Sequence, residues 1–470
     1  MVKIKLCTVI QIVALLGTIS LLSFFYPLEV RAAEDTEGIK IGLKYGLNAV
    51  TQCVITSPTG FILGTLEDGG FSETLPLPAY KEVTAAAKSG HVELRDEAGV
   101  LLSADIGVNG CIMPYESAEG QLISLNGQKY RGGILLKTDS GNKLTVINYL
   151  TMEEYLYGVI PGEMHHDNPL EALKAQAVAA RTFAIINKDK HESMGFNLCA
   201  STCCQVYRGF ESEKPSTNKA VSETRGMMIY YQNEPAAAFY SKNSGGHTQN
   251  SEDVWSTASP HLRGIADQYS PDLPWQSTMS FETLRQKLIQ EEGDPGAVIS
   301  VRIGERDASG AVASLIIKGK DKEVNLTKSR VRAVLGTSLV KSRHFCIGDT
   351  YEKSNQPDTG SLALLSAQGI KNATNSDRVY LLNGDGKLNT SDLISLKITK
   401  ENRAVDLESF SSNTAKFDDS KIAADGSLTL TGLGYGHGVG MAQDGAIIMA
   451  RQGKSFMEIL KYYYTGIEVY

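Results

Sequence analysis

The sequence predicts a mixed α+β protein. Three observations carry that expectation: short β-like runs separated by turns between residues 38 and 150, an alanine-rich helix after Asn168, and a glycine-rich loop ahead of two C-terminal helices. The chain has 470 residues, 42% hydrophobic and 21% charged, which fits ordinary globular folding and excludes long disorder by composition.

The first 32 residues read as a signal peptide or a membrane anchor. Lys3 and Lys5 precede an apolar run from Leu6 to Phe25, and Val30-Arg31-Ala32 fits a small-residue cleavage pattern. The run is long enough to span a bilayer, so cleaved signal and retained anchor both stay open. Either way the bulk of the chain is expected outside the cytoplasm, on the membrane's outer face or secreted to the wall. The formal net charge is −7, and losing Lys3, Lys5, Arg31 and Glu29 with the leader makes the rest more acidic still. That balance excludes nucleic acid or another polyanion held by bulk electrostatics. A neutral glycan is compatible with it.

Residues 36–107 are expected to form a small N-terminal α+β module, with a helix or strand near 80–87. Strands continue over 120–150, with turns at Asn126-Gly127 and Ser140-Gly141. Glu163 follows on a short Pro-Gly stretch. Asn168-Pro169-Leu170-Glu171 then reads as a capping box, with Asn168 at the N-cap. Leu170, Leu173, Ala177, Ala180 and Ala184 recur at helical spacing, which predicts a buried helix closely approached by its neighbours.

A second helix is expected near Thr217–Thr224, stopped by Gly226. A hairpin leads from there into Asn243-Ser244-Gly245-Gly246-His247-Thr248. Residues 298–347 read as strand, turn, strand and helix, while 355–375 are polar and irregular. The NGDGKLNTSD stretch at 383–392 resembles a calcium loop, yet Leu381 occupies the first ligand position and no glutamate closes it, so a hairpin turn is expected. The final GLGYGHGVGMAQDGA lacks the lysine-serine of a phosphate-binding loop and a βαβ setting, which argues against nucleotide binding.

Several ordered segments together resemble the stage II sporulation protein D family, with its amidase-enhancer members. They are YLYGVIPGEM, PLEALKAQAVAARTFA, CQVYRG, SETRGMMIYY, YSKNSGGHT, SGAVASLIIKG with VRAVLG, and GLGYGHGVGMAQDGAIIMA. The similar region covers 110–470, divided into a core at 145–265, a β-rich insertion at 280–425 and the glycine-rich loop with its helices at 430–470. The resemblance implies a lytic transglycosylase that cuts peptide-stripped peptidoglycan strands between N-acetylmuramic acid and N-acetylglucosamine, leaving 1,6-anhydromuramic ends. It also implies a cell-wall amidase as a partner. The family's acid falls on Glu163.

A single acid suits this chemistry. Water-using glycosidases need two carboxyl groups, whereas a lytic transglycosylase takes its nucleophile, the C6 hydroxyl, from the sugar. One carboxylic acid can protonate the leaving oxygen and then accept the C6 proton, provided that burial raises its pKa. On spacing alone, Glu163 could equally be an acid set against helix amides. Glu153, Glu154 and Glu171 read as solvated face or cap.

By family position, Tyr240, Lys242, Asn243, Ser244, Gly246 and His247 are expected to line the substrate groove. A Ser244/His247 hydrolase lacks a third member at suitable spacing. His437 either contacts glycan or ties its loop to Gln443, itself a candidate substrate contact. His191, Cys199, Cys203 and Cys204 offer imidazole and thiolate ligands for a structural zinc. Zinc-binding family members carry a histidine where Cys203 stands, so reduced or disulfide-linked thiols are the alternative. A non-catalytic amidase enhancer that binds the wall is the alternative function.

Overall fold

The computed structural model describes residues 38–67, 70–115, 122–139, 141–348, 419 and 421–470. It also gives the backbones of two hairpins, Leu362–Ser366 with Gly369–Ala373 and Ile398–Lys400 with Arg403–Val405. The leader at 1–32 and the 383–392 turn lie outside the described residues, and only the first hairpin's strands are described in 355–375.

Two sheets form the N-terminal half. The larger runs in the order Leu198–Cys199, Ile39–Lys44, Leu144–Leu150, Gly133–Thr138, Gly110–Pro114, Phe61–Glu67 and Gly70–Leu77. The smaller runs Gln128–Arg131, Leu122–Leu125, Gln52–Thr56, Glu82–Lys88, His91–Asp96 and Leu101–Ser103. Residues 80–87, open to either reading in the sequence, resolve as strand. Val83 and Ala85 alternate into the core, so the period-2 pattern wins over the helix propensity of three consecutive alanines. Ile39 pairs with Leu150 and Phe61 with Pro114, so the 36–107 stretch shares its sheet with residues 110–150 rather than closing one of its own.

The helical centre begins earlier than the sequence suggested. Helix α1, Met152–Glu163, opens with a full capping box between Thr151 and Glu154. Glu163 is its last residue, with Pro161 and Gly162 in the final turn, and not part of a loop ahead of a helix. Helix α2, Leu170–Ile186, starts after Pro169, whose carbonyl receives the amides of Ala172 and Leu173 at 3.0 and 3.1 Å. Asn168 is therefore not the cap. Its side-chain amide donates to the His165 carbonyl instead, at 2.9 Å.

The remaining helices are α3 Pro215–Glu223, α4 Ser251–Trp255, α5 Phe281–Glu291, α6 Ser329–Leu335, α7 Gln443–Arg451 and α8 Phe456–Tyr463. Helix α2 packs against α1, α3, α7 and α8, and is buried nearly all round. Its alanines allow that crowding. Inside it, Arg181 makes a two-pronged pair with Glu153 of α1, both bonds at 2.7 Å. Glu153 is thus a buried structural acid and not a solvated one.

The β-rich insertion has its own core. Pro274–Ser280 pairs with Ser427–Leu433, which also pairs with Phe345–Ile347, and a second sheet holds Val298–Arg306, Val312–Gly319 and Glu323–Thr327. Arg343 and His344 tie it to the centre: Arg343 donates to Gln249 and Asp307, and His344 Nδ1 meets the Ser244 carbonyl at 3.0 Å.

Candidate active site

The segment Gln205–Gly209 runs directly across α1. That approach needs two glycines one turn apart: a Cβ on Gly158 would lie 2.4 Å from the Tyr207 ring, and one on Gly162 would lie 2.6 Å from the Val206 carbonyl oxygen. The close packing delivers a backbone amide to the end of the helix. Val206 N donates to Glu163 Oε1 at 2.9 Å.

Burial raises the Glu163 pKa above its ordinary value, and the Val206 amide and the more distant charge of Arg208 offset that only in part. Among the described residues no salt bridge reaches this carboxyl. Glu163 opens into a cleft of about 320 Å³ whose polar wall includes His165, Asn168, Lys242, Gln443, Asp444 and Arg451. Met164, Ile447 and Ile448 supply an apolar side. A half-buried acid that holds its proton more tightly than a free carboxyl, facing an open groove, can donate that proton to a bound leaving group.

A buried polar chain supports the acid from behind. Gln443 Nε2 donates to the Glu163 carbonyl and to Gln176 Oε1, both at 3.3 Å. Tyr155 donates to Gln205 Oε1 at 3.2 Å, and Gln205 Nε2 reaches the Tyr240 hydroxyl at 3.0 Å. Sequence reasoning missed Gln176, Gln205 and Tyr155. The CQVYRG and AQAVAARTFA segments contain two of them, but a glutamine between alanines carries no sign of which carbonyl it will meet.

The residues expected to line the groove divide into groups. Lys242 and Gln443 are on the cleft wall. Lys242 pairs with Asp444 at 2.6 Å, and Asn243 Nδ2 holds the other oxygen of Asp444 at 3.0 Å, so the second carboxylate in the cleft is already engaged. Tyr240 lies behind the cleft in the polar chain. Ser244 Oγ donates to Asp267 at 2.9 Å and accepts the Gly246 amide at 3.2 Å, while His247 Nδ1 meets the Thr248 carbonyl at 2.5 Å. Serine and histidine therefore do not meet as a hydrolase pair. His437 Nδ1 accepts the Val439 amide at 3.1 Å, and the ring packs 5.1 Å from Trp255. Burial, with the charge of Arg332, holds its pKa down to about 4. It sits as a neutral ring in an aromatic nest, and no bond joins it to Gln443.

The four candidate metal ligands do come together. The ligand atoms of His191, Cys199, Cys203 and Cys204 all lie within 4.8 Å of one another. His191 Nε2 is 3.3 Å from Cys204 Sγ and 3.8 Å from Cys203 Sγ. All six described cysteines are free thiols. Burial acts to raise the Cys199 pKa, but the hydroxyl and amide of Ser201, with Tyr45 and Cys204, bring it down to about 6. Burial pushes Cys204 up to about 12. Three sulfurs and one imidazole nitrogen at this spacing fit the donor preference and number of a closed zinc site.

Comparison with known proteins falls on this part of the chain. A family model described as SpoIID, stage II sporulation protein, matches residues 140–231, which contain Glu163, α2 and the thiol cluster. The chain is 28% identical over 368 residues to an uncharacterized protein of Brachyspira hyodysenteriae, covering 78% of each. It is 30% identical over 360 residues to the amidase enhancer of Bacillus subtilis, covering 76% of this chain but 46% of that protein. It is 27% identical over 341 residues to stage II sporulation protein D of Bacillus subtilis, covering 69% of this chain and 75% of that one.

Proposed function

Because the chain belongs to the stage II sporulation protein D family and has its cell-wall role, we propose that it is an exported lytic transglycosylase with Glu163 as acid and then base. The observation that carries the reading is the state of Glu163: half-buried, held by the Val206 amide, raised in pKa and facing a cleft.

In the proposed reaction the Glu163 carboxylic acid gives its proton to the glycosidic oxygen between N-acetylmuramic acid and N-acetylglucosamine as that bond breaks. The C6 hydroxyl of the muramic residue closes on its own C1, and its proton passes to the Glu163 carboxylate. The acid is thereby regenerated, and the product carries a 1,6-anhydro end. Intramolecular attack supplies a high effective concentration of nucleophile. Because Asp444 is bound by Lys242 and Asn243, the reading asks nothing of it as a base.

Purified protein given glycan strands stripped of peptide is expected to release anhydromuramic ends, read by mass spectrometry. The amidase-enhancer relative supports a second reading, a wall-binding protein that stimulates a cell-wall amidase. It predicts no anhydro product from pre-stripped strands and faster amidase turnover when the two proteins are mixed.

His191, Cys199, Cys203 and Cys204 would hold a structural zinc, which when bound cross-links the 191–204 segment. None of the four lines the cleft that Glu163 faces, so the zinc would serve the fold rather than the reaction. A chelator is expected to lower the melting temperature while leaving activity per folded molecule unchanged. Loss of turnover with no loss of fold would contradict a structural role.

A further inference from the structure

We propose that His165, His166 and Asp167 form a second metal site, for a divalent transition cation, at the mouth of the Glu163 cleft. Their ligand atoms lie within 4.8 Å of one another. His165 Nδ1 is 3.5 Å from Asp167 Oδ2, and His166 Nδ1 is 2.9 Å from Asp167 Oδ1. Two imidazole nitrogens thus converge on one carboxylate. Metal–ligand bonds of about 2.0–2.2 Å set neighbouring ligands roughly 3–3.5 Å apart, so a cation can replace these contacts with little movement. The weak bond from the Asp167 amide to His165 Nδ1, at 3.4 Å, would be given up.

The backbone that carries the three residues is tied down. Asn168 donates to the His165 carbonyl through its amide at 3.1 Å and its side chain at 2.9 Å, and Ser216 Oγ donates to the His166 carbonyl at 2.7 Å. The buried helix α2 follows at once. The rings stack with centroids 4.4 Å apart. The side chains themselves face solvent, leaving room for waters to complete the coordination. Imidazole with carboxylate and water suits zinc, cobalt, nickel or copper better than calcium or magnesium.

His165 also lines the cleft, two residues from Glu163. A cation with its waters would stand where a glycan strand has to pass, so occupation obstructs the cleft. This consequence rests on the cleft being the glycan groove. The metal site itself does not.

Cobalt(II) titrated into the reduced full chain tests the site. Binding at the thiol cluster gives thiolate charge-transfer absorption, whereas the second site adds one equivalent without it. A His166→Asn/Asp167→Asn variant, which leaves the cleft lining intact, is expected to lose that equivalent and keep the thiolate band. Equal stoichiometry in the two proteins overturns the site and leaves an ordinary surface histidine–aspartate cluster. Fluorescence anisotropy of a peptide-free glycan strand then tests obstruction: added cobalt should weaken binding to the wild type at least about fivefold and to the variant hardly at all. The same loss in both overturns obstruction. Neither readout needs turnover, so a chain that binds glycan without cutting it sinks the catalytic reading alone.

Discussion

Helix α1 holds three glutamates, and the two that lie ten residues apart, Glu153 and Glu163, have opposite surroundings. Glu153 is fully buried, receives two bonds from Arg181 and lies near the Gly226 amide at 3.3 Å. Glu163, at the other end, has one amide bond and an open cleft in front of it. The first carboxylate is paired with a cation, and its work is to join α1 to α2. The second is desolvated without a contacting cation, which leaves its proton available. Burial alone does not make a glutamate catalytic; burial without a paired charge creates the opportunity.

The comparison breaks first at Glu153. Glu153→Gln leaves the buried Arg181 charge uncompensated and is expected to destabilise the fold by about 3–5 kcal/mol, measured by chemical denaturation. A change below about 1 kcal/mol would mean that the pair does not join the helices. Gln443→Leu sharpens the other end. It removes the bond to the Glu163 carbonyl and leaves Gln176 Oε1 without its donor, at a cost of about 1–3 kcal/mol. Turnover should fall roughly tenfold in kcat, with a smaller change in KM, because the acid loses its alignment.

The smallest effect concerns stability at Glu163 itself. Its folded pKa is raised, so the folded chain holds the proton more tightly than the unfolded chain does. Stability is therefore lost as pH rises from the ordinary carboxylate range through the raised folded value. Glu163→Gln escapes that loss and should melt no lower than the wild type at neutral pH, the difference closing on acidification. A lower melting temperature at neutral pH would mean that the carboxylate is stabilised rather than strained.

Much of the architecture was legible because it depends on local pattern. Alternating apolar residues gave the strands, the alanine run gave a buried α2, and the glycine-rich loop ahead of α7 and α8 was recognisable. The Thr151–Glu154 capping box is equally local, and Glu154 reads as cap or solvated face, but the 12-residue helix that it opens toward Glu163 is not among those the sequence predicts. Asn168 and Pro169 show the limit of such signals, since the proline took the cap position and left the asparagine to the His165 carbonyl. The position of Glu163 was prominent in its motif, but its environment was not. The Val206 amide and the Gln443 contact come from residues 43 and 280 positions away, brought close by tertiary packing. The thiol cluster was readable from spacing within one short segment, whereas the Arg343 and His344 clamp on the Ser244 loop was not.

The most direct measurement compares wild type and Glu163→Gln on peptide-free glycan strands at matched folded concentration, scoring 1,6-anhydromuramic ends by mass spectrometry. Glutamine preserves the acceptor for the Val206 amide and removes only the transferable proton. The expected result is a folded variant with product formation reduced at least about 100-fold. Anhydro ends released at the wild-type rate by the variant would contradict Glu163 as the acid.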